Sequence, residues 1–231
     1  MEDLADAFTR LRDNVYLVFR CTPPPDVLNL IVEAVERVYS IERPRYAEIV
    51  VECGEPERIG DLIVEYEGGL THEALSGFPR IHIDLYRFLA VPERLKRAML
   101  VHELVHSILH GSPEYYIGVV REPRDLLVLH IAYTVVKDLE VSLWMEEKGF
   151  SAENDVLRSY YDAARIECVR AEEIMDEGRR LALYAASGRL PIWKCGELSK
   201  RMYTVLRRLL GCTPRPWACR NYLVETISGL V

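Results

Sequence analysis

The spacing of apolar positions changes near residue 90. Before it, short β-branched and aromatic runs are separated by turn residues; after it, apolar side chains recur every three or four positions. The strand-like runs are NVYLVFRC, YAEIVVEC, DLIVEYE and RIHIDLY. Turns with Gly54, Pro56 and Gly60, then Gly68, Gly69, Gly77 and Pro79, separate the last three. RIHIDLY sets Ile81, Ile83 and Leu85 against His82, Asp84 and Tyr86, which predicts a half-buried strand. TPPPDVLNLIVEAVERVYS reads instead as a helix. It is entered through prolines and Asp26, with Val27, Leu30, Ile31, Ala34, Val35 and Val38 on one stripe.

Helices are predicted from Pro92 onward. PERLKRAMLVHELVHSILHG opens on a first-turn proline and stops at Gly111. The loop SPEYYIGVVREPR leads to DLLVLHIAYTVVKDLEVSLWMEEKG, a long apolar helix ending at Gly149. Two helical segments follow, NDVLRSYYDAARIECVRAEEIMDEGRRLALYAAS and GELSKRMYTVLRRLL. This order predicts an α+β fold, with a core over residues 1–150 and a helical extension over 151–231 serving as cap or oligomer face.

Composition adds three constraints. No apolar run is long enough to span a bilayer, and the start MEDLADAFTR is acidic, unlike a basic leader, so a cytoplasmic protein is expected. A net charge of −7 argues against a general nucleic-acid or anionic-membrane surface. The chain has no glutamine and four asparagines among many charged residues, a thermophile-like balance. Its six cysteines form no CxxC pair, so a knuckle-type structural zinc site is not expected. One or two disulfides are compatible with such a source, and Cys212 with Cys219 is the most local pair.

The chemistry concentrates in AMLVHELVHSILHG, where His102-Glu103-Leu104-Val105-His106 is an HExxH on a predicted helix. Histidines four apart lie one turn apart on one face, so both can reach a single cation, and zinc accepts neutral imidazole nitrogen. Glu103, about 100° further round the helix than His102, falls beside the ion, where it can act as general base and then general acid.

SGFPRIHIDLYRFLAVPERLKRAMLVHELVHSILHG resembles the core of the zincin metallopeptidases, a strand followed by the HExxH helix. The resemblance covers sixty to seventy residues, and its sharp part is the pentapeptide. It implies a small sheet packed on the HExxH helix, a later helix carrying the third ligand, a Zn2+ cofactor and a peptide or protein substrate. It also implies that the strand before the helix is the sheet edge that holds an extended peptide, which would give RIHIDLY that role.

His110 stands eight residues, or about 12 Å of helix, from His102, too far to share one ion with it on a continuous helix. The HExxHxxGxxH subgroup breaks its helix with a glycine; here those positions are Leu109 and Ser112. The arrangement that resembles the gluzincins and their small relatives takes an acid from the next helix. On DLLVLHIAYTVVKDLEVSLWMEEKG the main apolar stripe, Leu127, Ile131, Val135, Val141 or Ser142 and Met145, includes Asp138. An acid there is either buried at a cost or bound to something positive. Glu140, on another apolar face with Tyr133, Val136, Leu143 and Trp144, is the alternative, because the gluzincin ExxxD spacing is absent.

His130 and His110 are read as groups that stabilise the transition state or orient the ligands, or as core and helix-end residues. Tyr133, Tyr160 and Tyr161 are phenols of the oxyanion-donor type, and Arg121 could contact a substrate carboxylate. His72 and His82 are expected on strands or the surface. The expected function is a zinc-dependent hydrolase, foremost a peptidase. The alternative is a zincin-fold protein whose metal is structural, or whose cleft is blocked by its own chain.

Overall fold

The computed structural model describes residues 7–12, 14–53, 58–59, 62–63, 70–75, 77–115 and 126–228. The chain is α+β and forms two compact units, Met1–Pro113 and Glu114–Val231. None of the described helices is long and apolar enough to cross a membrane.

In the first unit, strands β1 (Ala7–Arg12) and β2 (Val15–Phe19) pair antiparallel. Helix α1 (Pro25–Tyr39) then carries the chain to β3 (Ala47–Glu52), which lies parallel to β2. A hairpin of β4 (Arg58–Ile59) and β5 (Leu62–Ile63) forms a separate two-stranded sheet. Strands β6 (Leu70–Glu73) and β7 (Arg80–Asp84) complete the larger sheet in the order β1-β2-β3-β7-β6. Helices α2 (Leu85–Ala90) and α3 (Glu93–Leu109) follow.

Two differences from the sequence reading concern β7. Strand β7 ends at Asp84, whose carboxylate accepts from the backbone N–H of Tyr86 and Arg87. That N-cap turns Leu85 and Tyr86 of the predicted strand into the first turn of α2. The run has neighbours on both sides, β3 and β6, so it is not a sheet edge. Among the described strands the edges are β1 and β6, and α3 packs on β6. Of DLIVEYE, Leu62 and Ile63 form β5, and the rest, like Gly54, Pro56, Gly60, Gly68 and Gly69, lies outside the described residues.

Register fixes what each sheet face carries, because directly paired residues point the same way. Leu17, Ile49, Ile81 and His72 form one row across β2, β3, β7 and β6. The next row, Val18, Val50, His82 and Thr71, points to the opposite face. The His72 ring stacks on His106 of α3, so the Leu17 row faces that helix. Helix α3 buries Leu95, Ala98, Met99, Leu100, Val101, Leu104 and Val105, each buried aliphatic side chain contributing on the order of 1.5–3 kcal/mol. Tyr39 of α1 bonds Ser107 of α3 at 2.6 Å, and Ser107 Oγ donates to the Leu104 carbonyl. Beyond the His110 C-cap, a Cβ on Gly111 would lie 2.5 Å from the Ser107 carbonyl oxygen. The glycine thus serves close approach of two backbone segments.

The second unit holds α4 (Leu126–Glu147), α5 (Ser151–Ala163), α6 (Ala171–Ala186), α7 (Glu197–Leu209), a 3-10 turn (Pro216–Cys219) and α8 (Asn221–Ser228). One core joins α4 with α6, α7 and α8 through Val128, Leu129, Tyr133, Val135, Leu181, Met202, Leu206 and Val224. This shared core explains why the unit begins ahead of α4 and not at residue 151. Gly178 lets α6 approach α4, since a Cβ there would collide with Val135 Cγ2 and sit 3.0 Å from Met202 Cε. The predicted helix over residues 154–187 is two helices. It breaks at Ala164, and Cys168, with φ 57°, is bonded to Cys195. Glu173 then caps the start of α6, its carboxylate accepting from the Val169 and Arg170 backbone N–H and from the Arg170 guanidinium. The expected Cys212–Cys219 disulfide is present, and Cys21–Cys53 ties the ends of β2 and β3. All six cysteines are therefore paired, more than the one or two bridges expected.

Candidate metal centre

Helix α3 places His102, Glu103, His106 and His110 over its last turns, and β6 supplies His72. His106 is the centre of the group. Its Nε2 lies 3.1 Å from Nε2 of His102, and its Nδ1 lies 3.0 Å from Nδ1 of His110. His102 meets the His106 ring edge-on at 4.7 Å between centroids, whereas His72 stacks parallel to it at 5.7 Å. His106 and His110 are buried, while His102 and Glu103 are half-buried and reachable from solvent.

This donor pair fits zinc. Two imidazole nitrogens bound at about 2.0–2.1 Å in a tetrahedral site lie about 3.3 Å apart. The observed 3.1 Å is close to that separation, and the two Nε2 atoms converge without any change of helix geometry. The same separation is also an N–H···N hydrogen-bond distance, so the pair is satisfied with or without an ion.

Helix α4 of the second unit carries the two acids proposed from the sequence, and both are buried. Asp138 Oδ2 lies 3.2 Å from Nε of Arg179 on α6. Glu140 faces elsewhere in its unit. Its carboxylate accepts from the Trp217 N–H at 2.7 Å and lies 3.7 Å from Arg215 Nε. Burial raises the Glu140 pKa to about 7, against the Trp217 hydrogen bond, which lowers it. Around it Tyr115, Tyr133 and Trp217 pack edge to face, with Arg215 over Tyr115 and Arg220 over Trp217.

His130 is exposed near the start of α4, so it does not fill the core. Tyr133 and Tyr161 are buried in the second unit and Tyr160 is exposed. Arg121 lies outside the described residues.

His72 and His82 lie on strands, as expected; what the sequence reading missed was the contact of His72 with His106 and the burial of His82. His72 carries no local signal, because only the pairing of β6 with β7 brings it to α3. His82 is 2% exposed and lies on the sheet face away from α3. Its Nδ1 is 2.7 Å from Glu52 Oε1, and its Nε2 is 3.8 Å from Glu73 Oε1. Burial alone would lower the His82 pKa, but the hydrogen bonds and charges of Glu52 and Glu73 outweigh it and raise the pKa to about 9. One imidazolium thus ties β3, β7 and β6 together.

A raised folded-state pKa means that this stabilisation is full below the unfolded value, near 6.5, and is lost as pH rises through about 9. The shift corresponds to about 3 kcal/mol as an order of magnitude. Denaturant melts followed by circular dichroism should show the parent losing stability between pH 7 and pH 10. His82→Gln should be less stable at pH 7 and nearly flat over that interval. Parallel curves for the two proteins would rule out this role for His82.

Compared with family models, curated proteins and solved structures, the chain matches none.

Proposed function

We propose that the protein is a zinc-dependent hydrolase that cleaves peptides, with His102 and His106 of α3 as ligands and Asp138, the acid on the main apolar stripe of the next long helix, as the third. The observation that carries the reading is the convergence of two helix-borne Nε2 atoms at 3.1 Å with a glutamate between them in sequence. Asp138 is preferred to Glu140 because it is the better match to the main apolar stripe of its helix. Bound zinc would supply Lewis acidity, acidifying water and polarising a carbonyl. Glu103 takes the proton from the attacking water and delivers it to the departing amine nitrogen. Being half-buried, it can reach both solvent and substrate. An extended peptide would pair with the outer side of β6, the sheet edge on which α3 packs, in place of the β7 role implied by the zincin resemblance.

Elemental analysis of the purified chain, and of the chain dialysed against zinc, should find one zinc per molecule. His106→Ala should lose it. The zinc-loaded parent should cleave an unstructured protein substrate and stop when a chelator is added. Absence of bound zinc in the parent would sink the proposal; zinc without cleavage of any substrate would favour a non-catalytic metal protein.

A further inference from the structure

We infer that His110 is a positioning residue for His106, accepting the Nδ1–H of His106 and so presenting the Nε2 lone pair to the metal. The inference rests on the zinc reading above. A neutral imidazole has one ring proton. When His106 ligates through Nε2, that proton is on Nδ1, and 3.0 Å away stands Nδ1 of His110. His110 must then be the acceptor, with its own proton on Nε2. The opposite polarity would put a proton on His106 Nε2, the atom that faces His102, and no ligand lone pair would remain.

The surroundings hold this contact in place. His110 is fully buried, and as the C-cap of α3 its backbone N–H donates to the His106 carbonyl at 2.7 Å. The close passage of Gly111 against the Ser107 carbonyl fixes the backbone just beyond it. His106 is therefore held at Nδ1 by His110, while its Nε2 faces that of His102 on the metal side. Groups that orient a ligand histidine in this way typically change metal affinity 10–100-fold when removed. A histidine eight residues past the first ligand thus has a use in the site although helix geometry bars it from the ion.

The test uses the full chain and zinc alone, titrated against a chromophoric chelator. His110→Leu deletes the acceptor, whereas His110→Asn keeps one, since Oδ1 sits one bond from Cγ as Nδ1 does. Zinc should bind His110→Leu about 10–100-fold more weakly than the parent, and His110→Asn within about threefold of it. Equal affinity of parent and His110→Leu would overturn the inference, and so would equal losses in the two variants. Nitrogen-15 NMR of the zinc-loaded parent needs no variant. It should find protonated Nδ1 on His106 and protonated Nε2 on His110, and a protonated Nδ1 on His110 would overturn the inference. A parent that binds no zinc would remove the underlying reading and this inference together. A parent that binds zinc while His110→Leu binds it equally well would remove only this one.

Discussion

Glu103→Gln should lower kcat/KM for peptide cleavage by about 10²–10⁴-fold, the usual contribution of a positioned general acid–base. Zinc content should stay at the parental level. Glutamine keeps the size and hydrogen-bonding reach of the side chain but cannot take up a proton at neutral pH. It leaves His102 and His106 in place, one turn apart on the same face of α3. The position is half-buried on α3, so the substitution should change stability by less than about 0.5 kcal/mol. The comparison is made on zinc-loaded parent and variant with one fluorogenic peptide. A variant that works at the parental rate would exclude Glu103 as the proton carrier, whatever the metal does.

How much of this was legible depends on how local each cause is. The HExxH helix was, because two imidazoles one turn apart are a property of five consecutive residues. Strands β2, β3 and β7 were, because each is a run of apolar and β-branched residues. Strand β6, LTHE, was not: four residues, three of them polar, become a strand only through pairing with β7. The sheet-edge role of RIHIDLY was implied by the zincin resemblance, and the pairing of β6 along the outer side of β7 removes it.

The break between α5 and α6 was hidden for a similar reason. The helical period runs on through residues 164–170, and what interrupts it is a left-handed Cys168 bonded to Cys195, 27 residues away. The ambiguity between Asp138 and Glu140 has a different cause. Helix α4 is buried on nearly every side, so amphipathicity does not single out one face. Two residues apart, the acids point about 200° from each other round the helix. Each finds its own partner, Asp138 at Arg179 and Glu140 at the Trp217 N–H.

Glu177→Leu should destabilise the second unit by about 3–5 kcal/mol, the cost of leaving one member of a buried ion pair alone. Glu177 and Arg180 are both fully buried on α6 and meet in a two-pronged contact, Nε to Oε2 at 2.7 Å and Nη2 to Oε1 at 2.9 Å. Arg180 also donates to Asp162 at 3.0 Å and to the Ile192 carbonyl, and Ser199 donates to Glu177, so the pair joins α5, α6 and α7. Burial alone would lower the Arg180 pKa, but Glu177 and Asp162 outweigh it and hold the guanidinium charged. With Glu177 gone, the cation keeps the Ile192 carbonyl and one carboxylate, Asp162, which is 39% exposed and therefore a weaker partner. The double variant Glu177→Leu with Arg180→Met removes both charges while roughly conserving volume, and it should recover most of the loss. About 1 kcal/mol should remain for the Ser199 hydroxyl, whose acceptor is removed. Tryptophan fluorescence in urea is the suitable probe, because Trp144, Trp193 and Trp217 all lie in this unit. A loss below about 1 kcal/mol for the single variant would show that water or Asp162 compensates the charge. A double variant no more stable than the single one would show that α6 depends on the shape of this pair more than on its charge balance.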